Sequence, residues 1–209
     1  VGLVIGAFLA AVNYGLFYIE TPLFLRVTLL LLAEIIITGG LMYDGFMDTA
    51  DGVFSARSRE RMLEIMKDSH VGSNAVLAII ILVLLKIAAY LELDGATLTW
   101  VLLTMSVATR TFMVVFIVNF PYARKEGIGH MFTKYAKPVY TYIAFAVCTA
   151  VIAACGWQYL AVAGICFAFT LMLAQYLKTQ LGGLTGDTYG ALTECGNVIY
   201  LLTAVFLLR

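Results

Sequence analysis

Seven apolar runs dominate this chain: residues 1–17, 23–38, 71–91, 96–120, 138–155, 157–177 and 190–208. Each comes close to the roughly 20 residues that an α-helix needs to cross a ~30 Å hydrocarbon core. Inside lipid a helix satisfies its own backbone hydrogen bonds, so such runs are read as spans. Only 12% of the 209 residues are charged and 62% are hydrophobic, where a soluble chain carries about 25% charged residues. The expected fold is therefore all-α: a polytopic bundle of about seven transmembrane helices, embedded in the lipid bilayer. No linker or shift of composition divides residues 1–209, which read as one integral-membrane domain. The net charge is zero, so no nucleic-acid footprint is expected.

Alternation of the spans puts loops 39–70, 121–137 and 178–189 on one side. They hold Arg57, Arg59, Arg61, Lys67, Arg124, Lys125, Lys134, Lys137 and Lys178, while the turns near residues 20, 94 and 156 hold no Lys or Arg. Lysine and arginine stay on the cytoplasmic side of a membrane, so the three basic loops are expected to face the cytoplasm. No basic stretch precedes the first run, so no cleavable signal peptide is read.

Residues 39–72 hold six of the thirteen acidic residues. Asp44, Asp48 and Asp51 are spaced i, i+4, i+7, which puts them within about 60° of one another on a helix. Three carboxylates on one face repel each other unless something positive sits among them. A hard divalent cation, Mg²⁺ or Mn²⁺, prefers such oxygen ligands. Gly45 and Gly52 each follow an Asp and leave room for a phosphate beside the backbone. The plainer reading is a solvated acidic helix end. Residues 57–68 read as a helix on the membrane surface, with Met62, Leu63, Ile65 and Met66 as its apolar face. There Glu64 and Asp68 alternate with Arg59, Arg61 and Lys67. The basic residues either pair with the acids on a solvated face or clamp pyrophosphate oxygens.

A second constellation lies near the C-terminus. Asp187 and Glu194 are seven apart, among Gly182, Gly183, Gly186 and Gly190. A glycine-rich turn entering a helix offers free N–H groups to a phosphate, although Asp187 also reads as a plain helix N-cap. Arg110 sits mid-span, where a charge is costly and faces a polar cavity or a partner such as Glu34. Arg26 is also within a span. Lys86 reads as snorkelling from the end of its span, without a role. Arg124, Lys125 and Glu126 suit a phosphate or a basic membrane-surface loop. His70 and His130 lack a second histidine at ligand spacing and read as surface or supporting groups. Cys148, Cys155, Cys166 and Cys195 form no ligand pattern and read as small core residues.

Three stretches carry a resemblance: DGFMDTADGVFSARSRERMLEIMKDSHVG at 44–72, FPYARKEGIG at 120–129 and GGLTGDTYGALTE at 182–194. In order and rough spacing they resemble the cobalamin synthase family, also called adenosylcobinamide-GDP ribazoletransferases. Met42 and Tyr43 depart from that pattern, where the family tends to show Leu and His. Ser73-Asn74-Ala75 departs too, where a further glycine is common. The resemblance implies a transferase of the last steps of cobalamin biosynthesis, in a bacterial or archaeal cytoplasmic (inner) membrane, with its site facing the cytoplasm. Adenosylcobinamide-GDP and α-ribazole, or its 5′-phosphate, would react to give adenosylcobalamin, or its 5′-phosphate, and GMP. Asp44, Asp48, Asp51 and Asp187 would hold Mg²⁺ (or Mn²⁺), and Asp51 or Asp68 would accept the hydroxyl proton. Gly45, Gly52, Arg59, Arg61, Lys67, Arg110, Arg124, Gly183, Gly186 and Glu194 would bind substrate. The family also carries a segment before the first helix seen here, in keeping with Val1 standing where a Met would start. Whether the chain forms a homo-oligomer stays open.

Two other functions are weighed against this one. CDP-alcohol phosphotransferases of phospholipid synthesis use a similar spaced-Asp pattern. Here Ala56-Arg57 comes too late after the first Asp-Gly, and the three aspartates are bunched too closely. A divalent-cation transporter would set its carboxylates near the bilayer midplane, whereas these cluster beside a loop.

Overall fold

Polar punctuation sets the helix ends in the computed structural model, which describes residues 1–124, Tyr135 and residues 137–209. The helices are α1 (Gly2–Tyr18), α2 (Leu23–Thr38), α3 (Leu41–Phe54), α4 (Arg59–Ile65), α5 (Ser73–Glu92), α6 (Gly95–Asn119), α7 (Pro138–Cys155), α8 (Trp157–Leu181) and α9 (Gly186–Leu208). Asp94 opens α6 by accepting from the N–H groups of Ala96 and Thr97, both at 2.9 Å. Pro138 sits at the start of α7, where its missing N–H costs nothing. Thr185 and Thr188 close a reciprocal capping box at the start of α9. Lys125, Glu126, His130 and Lys134 lie outside the described residues.

Helices α5 to α9 are each long and apolar enough to cross a membrane. Helices α2 and α3 reach that length only together, and they are bent by 90°. Helix α1 is a shorter apolar helix of 17 residues. The polytopic helical bundle is as expected; among the described residues five helices, or six with the bent pair taken as one, have spanning length. The acidic stretch does not prolong α2, which ends at Thr38. Gly39 and Gly40 take φ of 62° and 70°, a left-handed backbone that other residues adopt only at a cost. The chain therefore turns, and α3 runs back along α5. Its start meets Lys86 through Tyr43, and its end meets the first turn of α5 through Asp51.

Helix α6 is the most enclosed, packed against α1, α7 and α9. α7 shows Val139, Tyr140, Tyr142, Ile143 and Val147 on its outer face, a surface suited to lipid. All four cysteines are free, and Cys148 and Cys166 are buried. At one end of the bundle the Asn13 amide donates to Gly95 O at 2.8 Å, and Glu92 pairs with Arg209. At the other end Asp51 holds Gly72, Ala123 N donates to Leu184 O at 2.8 Å, and Arg59 lies over Gly182. All three motif stretches therefore reach this second end.

Below that end lies a buried charge cluster. Lys86 is fully buried and reaches Glu34 Oε1 at 2.8 Å, Glu34 Oε2 at 2.9 Å, Glu194 Oε2 at 2.7 Å and the Tyr43 hydroxyl at 2.8 Å. The Asn197 amide donates to Glu34 at 3.3 Å, and the Tyr43 hydroxyl donates to it at 3.2 Å. Arg110 is 7% exposed and contributes to the electrostatic field at the cluster. Lys86 thus does not snorkel: it ties α2, α5 and α9 together, and it takes the Glu34 partnership that the sequence offered to Arg110. Two carboxylates left in an apolar bundle without their lysine are strongly unfavourable. Lys86→Met should cost about 3–5 kcal/mol of stability, read as a lowered thermal unfolding temperature in detergent. Adding Glu34→Gln and Glu194→Gln should recover part of the loss.

Candidate functional site

The cavity of interest has a volume of 260 Å³, and its wall includes Asp44, Asp48, Asp51, Lys67, Asp68 and His70. Asp44 and Asp48 stand one turn apart on α3. Asp187, on α9, comes up beside Gly45 and acts on Asp48 through its charge without lining the cavity itself. A Cβ built on Gly45 would lie 2.7 Å from the Asp187 carbonyl oxygen, and one on Gly190 would lie 2.9 Å from Met42 O. Only hydrogen side chains let α3 and α9 cross this closely. Asp48 consequently feels the charges of Asp44, Asp187 and Asp51, opposed by Arg124. Among the described residues, no three Asp, Glu, His or Cys side chains converge as a ready cation cage.

Asp187 is not the N-cap of α9, since Thr185 fills that position. Its carboxylate is free to meet Arg124, whose Nη2 lies 2.8 Å from Oδ2. The Nε of Arg124 is buried and has no hydrogen-bond partner among the described residues. Arg124 is held by its backbone neighbours: Tyr122 and Leu184 form a parallel bridge, with Leu184 N donating to Pro121 O at 2.8 Å.

Asp51 uses both carboxylate oxygens on backbone. Oδ2 accepts from Gly72 N at 2.6 Å and Oδ1 from Ala75 N at 2.8 Å. It therefore caps α5 from a neighbouring helix, satisfying N–H groups that a helix start leaves unpaired. Asp68 and His70 pair at 2.5 Å on the exposed α4–α5 connection. The hydrogen bonds from His70 lower the Asp68 carboxyl below its ordinary value, and Asp68 raises His70 above the usual imidazole range. Arg61 pairs with Glu64 at 2.7 Å on the exposed face of α4, one of the two alternatives the sequence offered. The expected surface helix is shorter than residues 57–68, with Met62 and Met66 turned inward.

The glycines divide. Gly186 has open space beside it, whereas a Cβ on Gly183 would meet Pro121 O at 2.7 Å. Gly45 and Gly52, expected to face a phosphate, face protein instead: α9 backbone in one case, Met62 and Met66 in the other. Glu194 is fully buried and bonded to Lys86 rather than lining the cavity. Arg110 lies with that cluster as well. Arg59 packs its guanidinium over Gly182, at the end of α8.

Residues 1–205 match the family described as CobS, cobalamin-5-phosphate synthase. Three relatives carry the name adenosylcobinamide-GDP ribazoletransferase. That of Desulforamulus reducens is 42% identical over 93% of this chain and 78% of its own length. The Clostridium novyi protein is 37% identical over 97% of this chain and 81% of its own. That of Desulfitobacterium hafniense is 37% identical over 90% and 76%. The chain belongs to the cobalamin-5-phosphate synthase family. No solved structure matches it. The matched family and relatives do not support the CDP-alcohol phosphotransferase reading.

In this cobalamin-5-phosphate synthase family member, the sequence missed the lysine that matters most. Lys86 and Glu34 lie 52 residues apart, and the signal available was that each is a charge inside an apolar run. The double cap by Asp51 was also missed, because nothing local links it to Gly72. Asp51→Ala should free the start of α5 and cost about 3–6 kcal/mol, the worth of two charge-assisted hydrogen bonds. Faster proteolysis between residues 66 and 72, together with a lower unfolding temperature, would register it. Asp51→Asn keeps one acceptor and should lie between.

Proposed function

We propose that this protein joins adenosylcobinamide-GDP to α-ribazole, or to its 5′-phosphate, with release of GMP. The observation that carries the reading is the meeting of stretches 44–72, 120–124 and 182–194 at one end of the bundle, beside an acidic cavity walled mostly by the first of them, in a chain of this family. A ribose hydroxyl oxygen forms a bond to the phosphorus that carries the cobinamide. The bond from that phosphorus to the bridging pyrophosphate oxygen breaks, and GMP leaves with that oxygen. Transfers of this kind depend on positioning and electrostatics more than on covalent catalysis.

The donor set suits Mg²⁺ or Mn²⁺. Mg²⁺ keeps several waters and takes one or two carboxylates plus substrate phosphates, so a closed cage of protein ligands is not required. Asp44 and Asp48 would hold it, with Asp187 approaching from α9. When bound, the ion neutralises charge on the pyrophosphate and the leaving group. Arg124, whose Nε has no partner among the described residues, and Lys67, on the cavity wall, bind phosphate oxygens. Open space at Gly186 lets a phosphate reach the first N–H groups of α9. Asp51 is committed to the backbone of α5, so Asp68 takes the hydroxyl proton, with His70 keeping its carboxylate oriented.

Supplying the purified protein with adenosylcobinamide-GDP, α-ribazole 5′-phosphate and Mg²⁺ should yield GMP and a new corrinoid. Failure to release GMP under those conditions rejects the reading. Asp48→Asn and Asp187→Asn barely change volume and should fold. Each should lower the transfer rate about 100-fold or more, the scale for removing a preorganised electrostatic contact. A variant at the wild-type rate with unchanged Mg²⁺ dependence removes that residue from the site.

The cavity is proposed to face the cytoplasm of an inner membrane, on the strength of the nine basic residues in the loops at that side. A Ser58→Cys variant in spheroplasts should resist an impermeant thiol reagent added outside, and ready labelling would reverse the orientation.

A further inference from the structure

The end of the bundle opposite the acidic cavity carries a second polar pocket, which the proposed reaction does not use. It has a volume of 400 Å³ and is lined by Tyr14, Phe17, Tyr18, Glu20, Thr21 and Arg26. Arg26 belongs to the first turn of α2 and is only 7% exposed. Its Nε is buried and has no hydrogen-bond partner among the described residues. Its guanidinium lies over the Phe17 ring, 5.4 Å from the centroid, and that ring is backed by Gly95 at the start of α6. Glu20 lines the same pocket, held by a turn in which its own φ is 54°. Among the described residues no ion pair joins Glu20 to Arg26. Helix α2 starts after Pro22 without a side-chain cap, so the positive end of its dipole adds to the field at Arg26.

A buried guanidinium without a counter-charge is unfavourable, and an anion at this place would remove the cost. A carboxylate in the same pocket would repel a plain anion. A ligand that carries both signs satisfies both groups. Tyr14 and Tyr18 are exposed beside Glu20, and aromatic faces attract an ammonium group. Leu23, Phe24 and Leu25 lie exposed next to the pocket, giving an apolar surface for hydrocarbon chains. We propose that this pocket binds a phospholipid whose headgroup pairs a phosphate with an ammonium group. The phosphate lies on Arg26 and the start of α2. The ammonium lies between Glu20 and the tyrosine rings, and the acyl chains run along α2. The inference is independent of the transferase reading, because it uses none of the residues of the acidic cavity.

The test titrates the purified protein in detergent with phosphatidylethanolamine, with phosphatidylglycerol and with water-soluble phosphoethanolamine. Bound molecules are counted by native mass spectrometry and the unfolding temperature is followed in parallel. Phosphatidylethanolamine should bind saturably, more tightly than phosphatidylglycerol, and should raise the unfolding temperature. Arg26→Gln should weaken it about tenfold, the equivalent of one charge-assisted hydrogen bond. Glu20→Gln, on an exposed turn, should fold normally and bind the two lipids alike. Equal binding of both lipids by the wild type, or an unchanged Arg26→Gln, overturns the proposal. So does soluble phosphoethanolamine binding as tightly as the lipid, which would make this a site for a free phosphate. If Arg26→Gln does not fold, Glu20→Gln decides alone: a preference for phosphatidylethanolamine that survives in it overturns the assignment.

Discussion

The structure depends on one lysine. Lys86 stands on α5 in an apolar surrounding, with Glu34 of α2 and Glu194 of α9 both within 2.9 Å. Each charge alone would be expelled from such a place, and each is tolerated because the others are there. The arrangement fixes more than charge. An ammonium has three donors, and Lys86 directs them from α5 to groups on three other helices, Tyr43 of α3 included. The helices cannot slide or rotate about their axes without breaking these bonds. Apolar packing tolerates small shifts of register, whereas a buried ion network does not. Tyr43 precedes Asp44, and Glu194 lies two turns beyond Asp187. The register set at Lys86 is therefore passed directly to the carboxylates around the cavity.

A second constraint is distance. Carboxylates from α3 and α9 can act on one another only if the two backbones approach closely. Gly45 and Gly190 provide that approach, with built Cβ atoms meeting backbone at 2.7 and 2.9 Å. The crossing lies between the cluster below and the capped start of α5 above. Asp51 supplies the upper anchor through Gly72 and Ala75. One face of α3 thus carries two kinds of carboxylate: Asp51 holds the scaffold, and Asp44 and Asp48 stay open to the cavity. The i, i+4, i+7 spacing cannot separate these roles, since all three look alike on a helical wheel.

Hydropathy made the fold class legible, because each apolar run has only one way to satisfy its backbone in lipid. The ends of α5, α6, α7 and α9 were nearly readable from Gly72, Asp94, Pro138 and the 182–188 turn. The break at Gly39-Gly40 was not read, since two glycines in an apolar context fit a helix as well as a turn. What decides it is the left-handed backbone that only the folded chain displays. The gathering of the three motif stretches at one end followed from counting spans. Their contacts did not: Tyr122 with Leu184, Arg59 with Gly182 and Gly45 with Asp187 join residues more than 60 positions apart, and no local pattern encodes them. Gly45 and Gly52 show the limit most plainly. A small residue after an Asp leaves room, but the sequence does not say whether a ligand or another helix fills it.

Bringing Asp44, Asp48 and Asp187 together is itself unfavourable, because like charges in a partly buried cavity repel. Among the described residues, Arg124 makes its direct carboxylate contact with Asp187. The repulsion is borne by the scaffold: the glycine crossing, the Lys86 network and the Asp51 cap hold the backbones in place whatever the carboxylates would prefer. A rigid frame of this kind leaves the carboxylates little freedom to lose when a cation and a pyrophosphate arrive, so less of the binding energy is spent on ordering the site. The residual charge then favours the ligand rather than distorting the protein. The same reasoning explains why the buried carboxylates Glu34 and Glu194 have cations built in beside them, Lys86 in direct contact and Arg110 in their field, while the cavity above does not. In the apolar interior nothing can enter to neutralise an excess, so Lys86 must be built in. At the mouth of the bundle, water and ions have access, and an unmatched acidic face becomes a place to bind.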